Sequence, residues 1–243
     1  MKGVYFKLKK IERIARKPDT LQLFGKRLEW PDLFSTIKYK RDFERNNPDY
    51  FKPDGILLFD GPQGSGKTLS AVKYVSELMQ IYPECIVCSN VILPEYEGTD
   101  RFIFFDSAEK FLTVRNGDRG VIFLVDEIHI LFNSLASKNM DLSLFTAISQ
   151  QRKQRIHIVG TSQLFMRVAK PFREQVKYAV MCNCVFGVLQ FNKIVRGIDM
   201  EIDDEGNVKC KRLRRSWFFH SPKLYSLYDT LAVIDRVNFN FEM

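Results

Sequence analysis

One octapeptide, Gly61-Pro-Gln-Gly-Ser-Gly-Lys-Thr68, constrains this chain more than any other stretch. It fits the pattern G-x4-G-K-[ST]. An apolar run, Gly55–Asp60, precedes it, and after it Leu69, Val72, Val75, Leu78 and Met79 recur at helical spacing. A strand that feeds a glycine-rich turn into a helix N-terminus makes a cradle for phosphate. Glycines let backbone N–H groups approach the oxygens, and the helix end adds partial positive charge. The expected cradle is Gly61, Pro62, Gln63, Gly64, Ser65, Gly66, Lys67, Thr68 and Leu69. The Lys67 ammonium would reach the β- and γ-phosphates, and the Thr68 hydroxyl would ligate Mg²⁺. ATP and Mg²⁺ are the expected cofactors.

Further apolar runs follow at Cys85–Cys88, Phe102–Phe105, Val121–Val125, Ile156–Val159 and Tyr178–Cys182. Helical patterns separate several of them, including one expected to start at Asp106-Ser107, good N-cap residues, and one over 141–154. Strands apolar on both faces that alternate with helices predict an α/β fold, a mainly parallel sheet covered by helices on both sides. Residues 185–200 and 207–219 read as a C-terminal β-hairpin joined by the polar turn Asp203–Asn207. The expected organisation is an N-terminal extension, 1–52, and one P-loop domain, 53–243, that includes the hairpin 185–219.

Two further segments carry chemistry. Val121-Ile-Phe-Leu-Val-Asp126-Glu127 is an apolar strand ending in adjacent acids, the Walker B form. Asp126 would hold the Mg²⁺ shell, and Glu127 would orient and polarise an attacking water. A water-activating carboxylate favours hydrolysis over phosphotransfer, which must exclude water. Ile156-His-Ile-Val-Gly-Thr-Ser-Gln163 is a strand with an amide at its tip, where Gln163 could contact the γ-phosphate or the attacking water.

The charge is unevenly placed. Of 37 Lys+Arg and 29 Asp+Glu, 14 basic and 7 acidic residues lie in 1–52, so the excess of +8 sits almost wholly there. That segment mixes its charges with Trp30, Tyr39 and Phe43, a composition suited to phosphate and base contacts and equally to a solvated arm. Two local basic clusters, within 152–177 and at 209–215, interrupt the balanced remainder. No apolar run approaches the roughly 20 residues that span a bilayer. The N-terminus MKGVYFKLKK lacks the apolar stretch of a signal peptide, so a cytoplasmic location is expected.

The P-loop, the Asp-Glu strand, the basic helix end Gln150–Arg155 and the strand ending in Gln163 resemble the FtsK/HerA superfamily of P-loop ATPases. Within it, the zonula occludens toxin-like filamentous-phage assembly ATPases and viral DNA-packaging ATPases look most similar. Their closing segment also looks like His220–Thr230. The resemblance spans about 54–230. It implies an oligomeric ring motor that moves or packages DNA, single- or double-stranded, with phage capsid or assembly proteins as further partners. It also implies a trans-acting arginine shortly before the Gln-tipped strand, Arg152 with Arg155 in reserve, that stabilises transition-state charge. Both arginines would also suit a plain helix C-terminus. The phage group carries a membrane-spanning helix after its ATPase domain, and this sequence shows none. The other function classes are a nucleotide-dependent switch or scaffold with slow turnover, and a phosphotransferase.

The five cysteines argue against a disulfide framework. Cys85 and Cys88 point to opposite faces of a strand and cannot chelate one ion, so no zinc site is expected. His129 is expected to pack or hydrogen-bond rather than act as a base. The phenylalanines, Phe111, Phe132 and Phe165 among them, read as core.

Overall fold

The structure, a computed structural model, describes residues 30–137, 142–202 and 208–228. The chain divides into two units, Met1–Pro48 and Asp49–Met243. In the first, the described residues form helix α1, Trp30–Asn46. Asn47 closes it by donating from both its backbone N and its Nδ2 to the Phe43 carbonyl, at 3.0 and 2.9 Å.

The second unit is built on one eight-stranded sheet in the order β3-β2-β4-β5-β1-β6-β7-β8. The strands are β1 (Gly55–Asp60), β2 (Ile86–Ser89), β3 (Phe102–Phe104), β4 (Val121–Val125), β5 (Ile156–Ser162), β6 (Val176–Val185), β7 (Leu189–Ile202) and β8 (Val208–Phe219). Pairings among β1 to β6 are all parallel, whereas β6–β7 and β7–β8 are antiparallel. The hairpin is therefore no appendage: β6 joins it to the main sheet.

Apolar side chains from both faces of the central strands are buried, as their sequence predicts. Every residue of β4 is buried. Along β1, Ile56 and Leu58 enter one core while Leu57 and Phe59 enter the other. The second core packs under helix α2 (Lys67–Ile81) through Ala71, Val72, Val75, Leu78 and Met79. The first core is aromatic: Phe111 lies 4.5 Å from Phe123, and Phe132 stacks on Phe172 at 4.3 Å. Phe111, Phe132 and Phe165 are all buried.

Three boundaries differ from expectation. The helix expected from Asp106 is the four-residue Lys110–Thr113, and Asp106 instead pairs with Lys110 at 3.6 Å. The helix expected over 141–154 is Leu142–Ser149, after which the chain turns. Arg155 at φ +55° redirects it into β5, and Ile156 N bonds back to Gln151 O. The first hairpin strand starts at Leu189, because Phe186 (φ +54°) and Gly187 (φ +70°) make a tight β6–β7 turn. Two positive φ values suit the right-handed strand twist. The predicted turn Asp203–Asn207 lies outside the described residues.

Candidate nucleotide site

At the C-terminal ends of β1, β4 and β5 the chain gathers most of the residues singled out above. Helix α2 starts at Lys67 with Gly66 as its N-cap, at φ +77° and ψ 25°. A side chain there would be strained, and a Cβ would also stand 2.0 Å from Gln190 Oε1. Lys67 is buried, and its Nζ donates to the Pro62 carbonyl at 3.2 Å, so the ammonium lies over the loop.

Thr68 Oγ1 donates to Asp126 Oδ1 at 3.0 Å, joining the P-loop helix to the end of β4. The same Oδ1 accepts from Thr161 Oγ1 at 2.5 Å. The Asp126 backbone is held on both sides by Asn90: its N donates to Asn90 Oδ1 at 2.8 Å, and Asn90 Nδ2 donates to its carbonyl at 3.2 Å. This hydroxyl and carboxylate are a pair of hard oxygen donors. Among the described residues there is no cluster of three or more Asp, Glu, His or Cys. A sparse oxygen pair fits Mg²⁺, which keeps waters and takes phosphate oxygens for its remaining positions.

Glu127 takes φ +52°, an uncommon backbone for a non-glycine residue. The turn is fixed by its N–H, which donates to Thr161 Oγ1 at 2.9 Å. Its carboxylate is held at Oε1 by Gln163 Nε2 at 3.2 Å, and His129 Nδ1 lies 3.1 Å from Oε2. Burial lowers the His129 pKa, partly offset by the Glu127 charge. Lys67, Thr68, Asp126, Glu127 and Gln163 thus come together.

Arg152 does not join them. Its side chain is 84% exposed and pairs with Asp54 at 3.7 Å, just before the N-terminal end of β1. The P-loop follows the other end of that six-residue strand, roughly 20 Å away at about 3.3 Å per residue. Arg155 is engaged locally, 3.7 Å from Asp118 and with its guanidinium 4.1 Å over the Tyr50 ring.

Sequence reasoning missed several residues that the fold brings here. Arg167 Nη1 lies 3.5 Å from Gln163 Oε1. Asp60, at the end of β1, is buried with Oδ1 lacking a partner among the described residues, and burial lifts its pKa to about 6 against the pull of Lys67. Most unexpected is Gln190 of β7, fully buried against the P-loop. Its Nε2 donates to the Ser65 carbonyl at 2.9 Å and to Asn192 Oδ1 at 3.0 Å. Its Oε1 meets His220 Nε2 at 3.2 Å, and His220 Nδ1 meets Tyr225 OH at 2.9 Å. Asn192 Nδ2 continues the network to Ser70 Oγ of α2 at 3.2 Å.

Cys85, Cys88 and Cys182 are buried free thiols whose pKa values burial raises. No helix among the described residues is long and apolar enough to cross a membrane.

The fold is shared with a solved structure, and two others match more weakly. The N-terminal domain of zonular occludens toxin from Neisseria meningitidis matches at a TM-score of 0.51 and 17% identity, over 73% of this chain and 100% of that one. B204, the DNA-packaging ATPase from Sulfolobus Turreted Icosahedral Virus, matches at 0.45 and 12%, over 67% and 99%. The flagellar accessory protein FlaH from Methanocaldococcus jannaschii matches at 0.45 and 9%, over 70% and 95%. A search of curated protein sequences returns no match. The family model for Zonular occludens toxin (Zot) matches residues 55–198, more than half of the sequence and the whole span from β1 into β7. With its P-loop, its Asp-Glu strand end and a parallel sheet extended by an antiparallel ribbon, this chain belongs to the Zot family.

Proposed function

We propose that this protein is an ATPase, a motor that couples hydrolysis to the movement or packaging of DNA and works as an oligomeric ring. The observation that carries the reading is the placement of Glu127. A carboxylate at a strand end, one residue beyond the Asp126–Thr68 oxygen pair, is anchored through its backbone by Thr161 and through its side chain by Gln163. That arrangement supports proton acceptance from a water rather than transfer of phosphate to an organic acceptor.

In this reading the backbone amides of Gly61–Leu69 and the Lys67 ammonium bind the phosphates. Thr68 and Asp126 hold Mg²⁺, which when bound supplies charge neutralisation at the phosphate oxygens. Glu127 takes the proton of the attacking water. Gln163, braced by Arg167, keeps that carboxylate aimed and senses the γ-phosphate. Arg152 lies too far from its own P-loop to act in cis, so it serves the neighbouring subunit's nucleotide, and hydrolysis requires assembly. The viral packaging ATPase B204 among the structural neighbours is compatible with DNA as cargo.

The test is ATP turnover against added DNA, over protein concentration and salt, for the unmodified chain and Glu127→Gln. Expected are stimulation by DNA that weakens as salt rises, and a variant that binds ATP but hydrolyses at least about 100-fold more slowly, the scale of a lost general base. A fully active Glu127→Gln would remove Glu127 from the chemistry. Turnover indifferent to DNA would sink the motor.

A further inference from the structure

The β6–β7–β8 ribbon shows its two faces very different surroundings. One face of β7 carries Gln190 and Asn192 into the P-loop network. On the other, directly paired residues make three rows: Val185–Leu189–Phe219, Asn183–Phe191–Trp217 and Met181–Lys193–Arg215. Paired residues in an antiparallel ladder share a face. Phe191, Trp217 and Phe219 are 42%, 65% and 64% exposed. Above them, at the tip, Phe186 is 94% exposed at φ +54°. Its positive φ belongs to the β6–β7 turn, and that turn leaves nearly the whole ring in solvent.

The charge on this ribbon selects the partner. From Val176 to Ile198 and from Cys210 to Phe219 every charged residue is a cation. Lys211, Arg212, Arg214 and Arg215 are exposed and form no ion pair with any described residue. Protein–protein contacts also collect aromatics and Arg, but they are depleted of Lys, and an all-cationic strip repels a second copy of itself. Here cations sit in the row adjoining the aromatics, so the complementary surface is a polyanion with flat apolar faces, which is nucleic acid.

The exposed rings select the strandedness. Trp217 and Phe219 have ring centroids 6.3 Å apart with planes at 89°. Bases in a duplex stack about every 3.4 Å and keep their faces covered. The two rings meet edge to face and remain largely in solvent, so they offer surface to a base that has left its stack, and a β-sheet bearing aromatics and cations is a platform of that kind.

We propose that this ribbon face is a binding site for single-stranded nucleic acid. Trp217, Phe219 and Phe191 stack the bases, and Arg215 and Lys193 take the phosphates. The inference rests on the motor reading only for the source of the strand. It is tested without nucleotide, so its failure and a failed ATPase are distinguishable.

The experiment uses the full chain carrying Trp30→Phe, which leaves Trp217 as the single tryptophan. It is titrated with a dT oligonucleotide, an rU oligonucleotide and a DNA duplex of equal length. Single strands of either sugar are expected to quench Trp217 emission and to bind more tightly than the duplex; the dT and rU arms identify the source. Trp217→Ala, read by anisotropy of a labelled oligonucleotide, is expected to weaken single-strand binding about 5- to 150-fold, the range of base–aromatic stacking, with Trp217→Phe restoring most of it. Arg215→Ala is expected to flatten the salt dependence by about one ion. Duplex bound as tightly as single strand, unchanged affinity in Trp217→Ala, or a variant whose only change is lost self-association would overturn the proposal, the last by assigning this face to a second copy.

Discussion

Gly66 and Gln190 are 124 positions apart in sequence yet occupy the same space, and a double-mutant cycle between them measures how tightly the ribbon grips the P-loop. Gly66→Ala carries two costs. An L-residue at φ +77° costs about 1–2 kcal/mol. The new Cβ would also meet Gln190 Oε1 at 2.0 Å. The amide must then withdraw and release the Ser65 carbonyl, and a buried acceptor left unpaired costs about 1–3 kcal/mol. Gln190→Ala alone releases the same carbonyl at about the same cost, plus a small cavity. Combining the two counts that lost bond once and removes the clash. The double variant should fall short of the sum by about 1–3 kcal/mol. Urea unfolding of the four proteins gives the coupling, and calorimetric titration with ADP gives the functional side. ADP affinity should drop in both single variants and fall little further in the double. Additivity within about 0.5 kcal/mol would refute the contact.

Two buried groups give stability opposite pH dependences. Asp60, lifted to about 6, binds its proton more tightly folded than unfolded, so it removes stability as pH rises from about 4 to 6. Asp60→Asn should therefore gain on the order of 3 kcal/mol near neutral pH and nothing below about pH 4; an equal gain at both pH values would contradict a buried carboxylate. His157 is fully buried, bonded to Gly55 O and to Tyr74 OH, both at 3.0 Å, and burial lowers its pKa to about 4. It removes stability as pH falls from 6.5 to about 4, and His157→Gln should flatten the unfolding midpoint over that window. Finally, inactive Arg152→Ala mixed with inactive Lys67→Ala should regain part of the ATPase activity, since each supplies what the other lacks. Arg155→Ala should instead lower the free energy of unfolding by about 0.5–2 kcal/mol, the worth of a half-buried cation–π contact. A mixture with no recovery would count against a role for Arg152 across subunits.

The parallel half of the sheet was legible in the sequence because its strands are apolar on both faces, a pattern few other settings produce. The P-loop and Asp126-Glu127 were legible for a related reason: their chemistry needs residues adjacent in sequence. The hairpin was legible too, but which of its faces is buried was not, because its alternation is inverted. In Gln190-Phe-Asn-Lys193 the polar side chains Gln190 and Asn192 are buried and Phe191 is exposed. Period-two reasoning assigns the apolar set to the core, and only a distant polar partner, the Ser65 carbonyl, reverses it. The short helix at Lys110 failed differently: Asp106-Ser107 has cap chemistry, but the chain spends those residues in a turn. The choice of Arg152 rests on its distance from Gln163 along the chain, and that distance carries no information about which end of the strands it occupies.

The buried network around Gln190 also acts as a ratchet stop for the ribbon. Sliding β7 by one residue would put Phe191 against the Ser65 carbonyl and expel Gln190 to the opposite face, because side chains alternate at every step. No intermediate register satisfies the loop. The edge strand β8, which takes its alignment from β7, is thereby indexed to the nucleotide site, and the three aromatic and basic rows hold a fixed height above it. Whatever pulls along that face pulls on the backbone of Ser65.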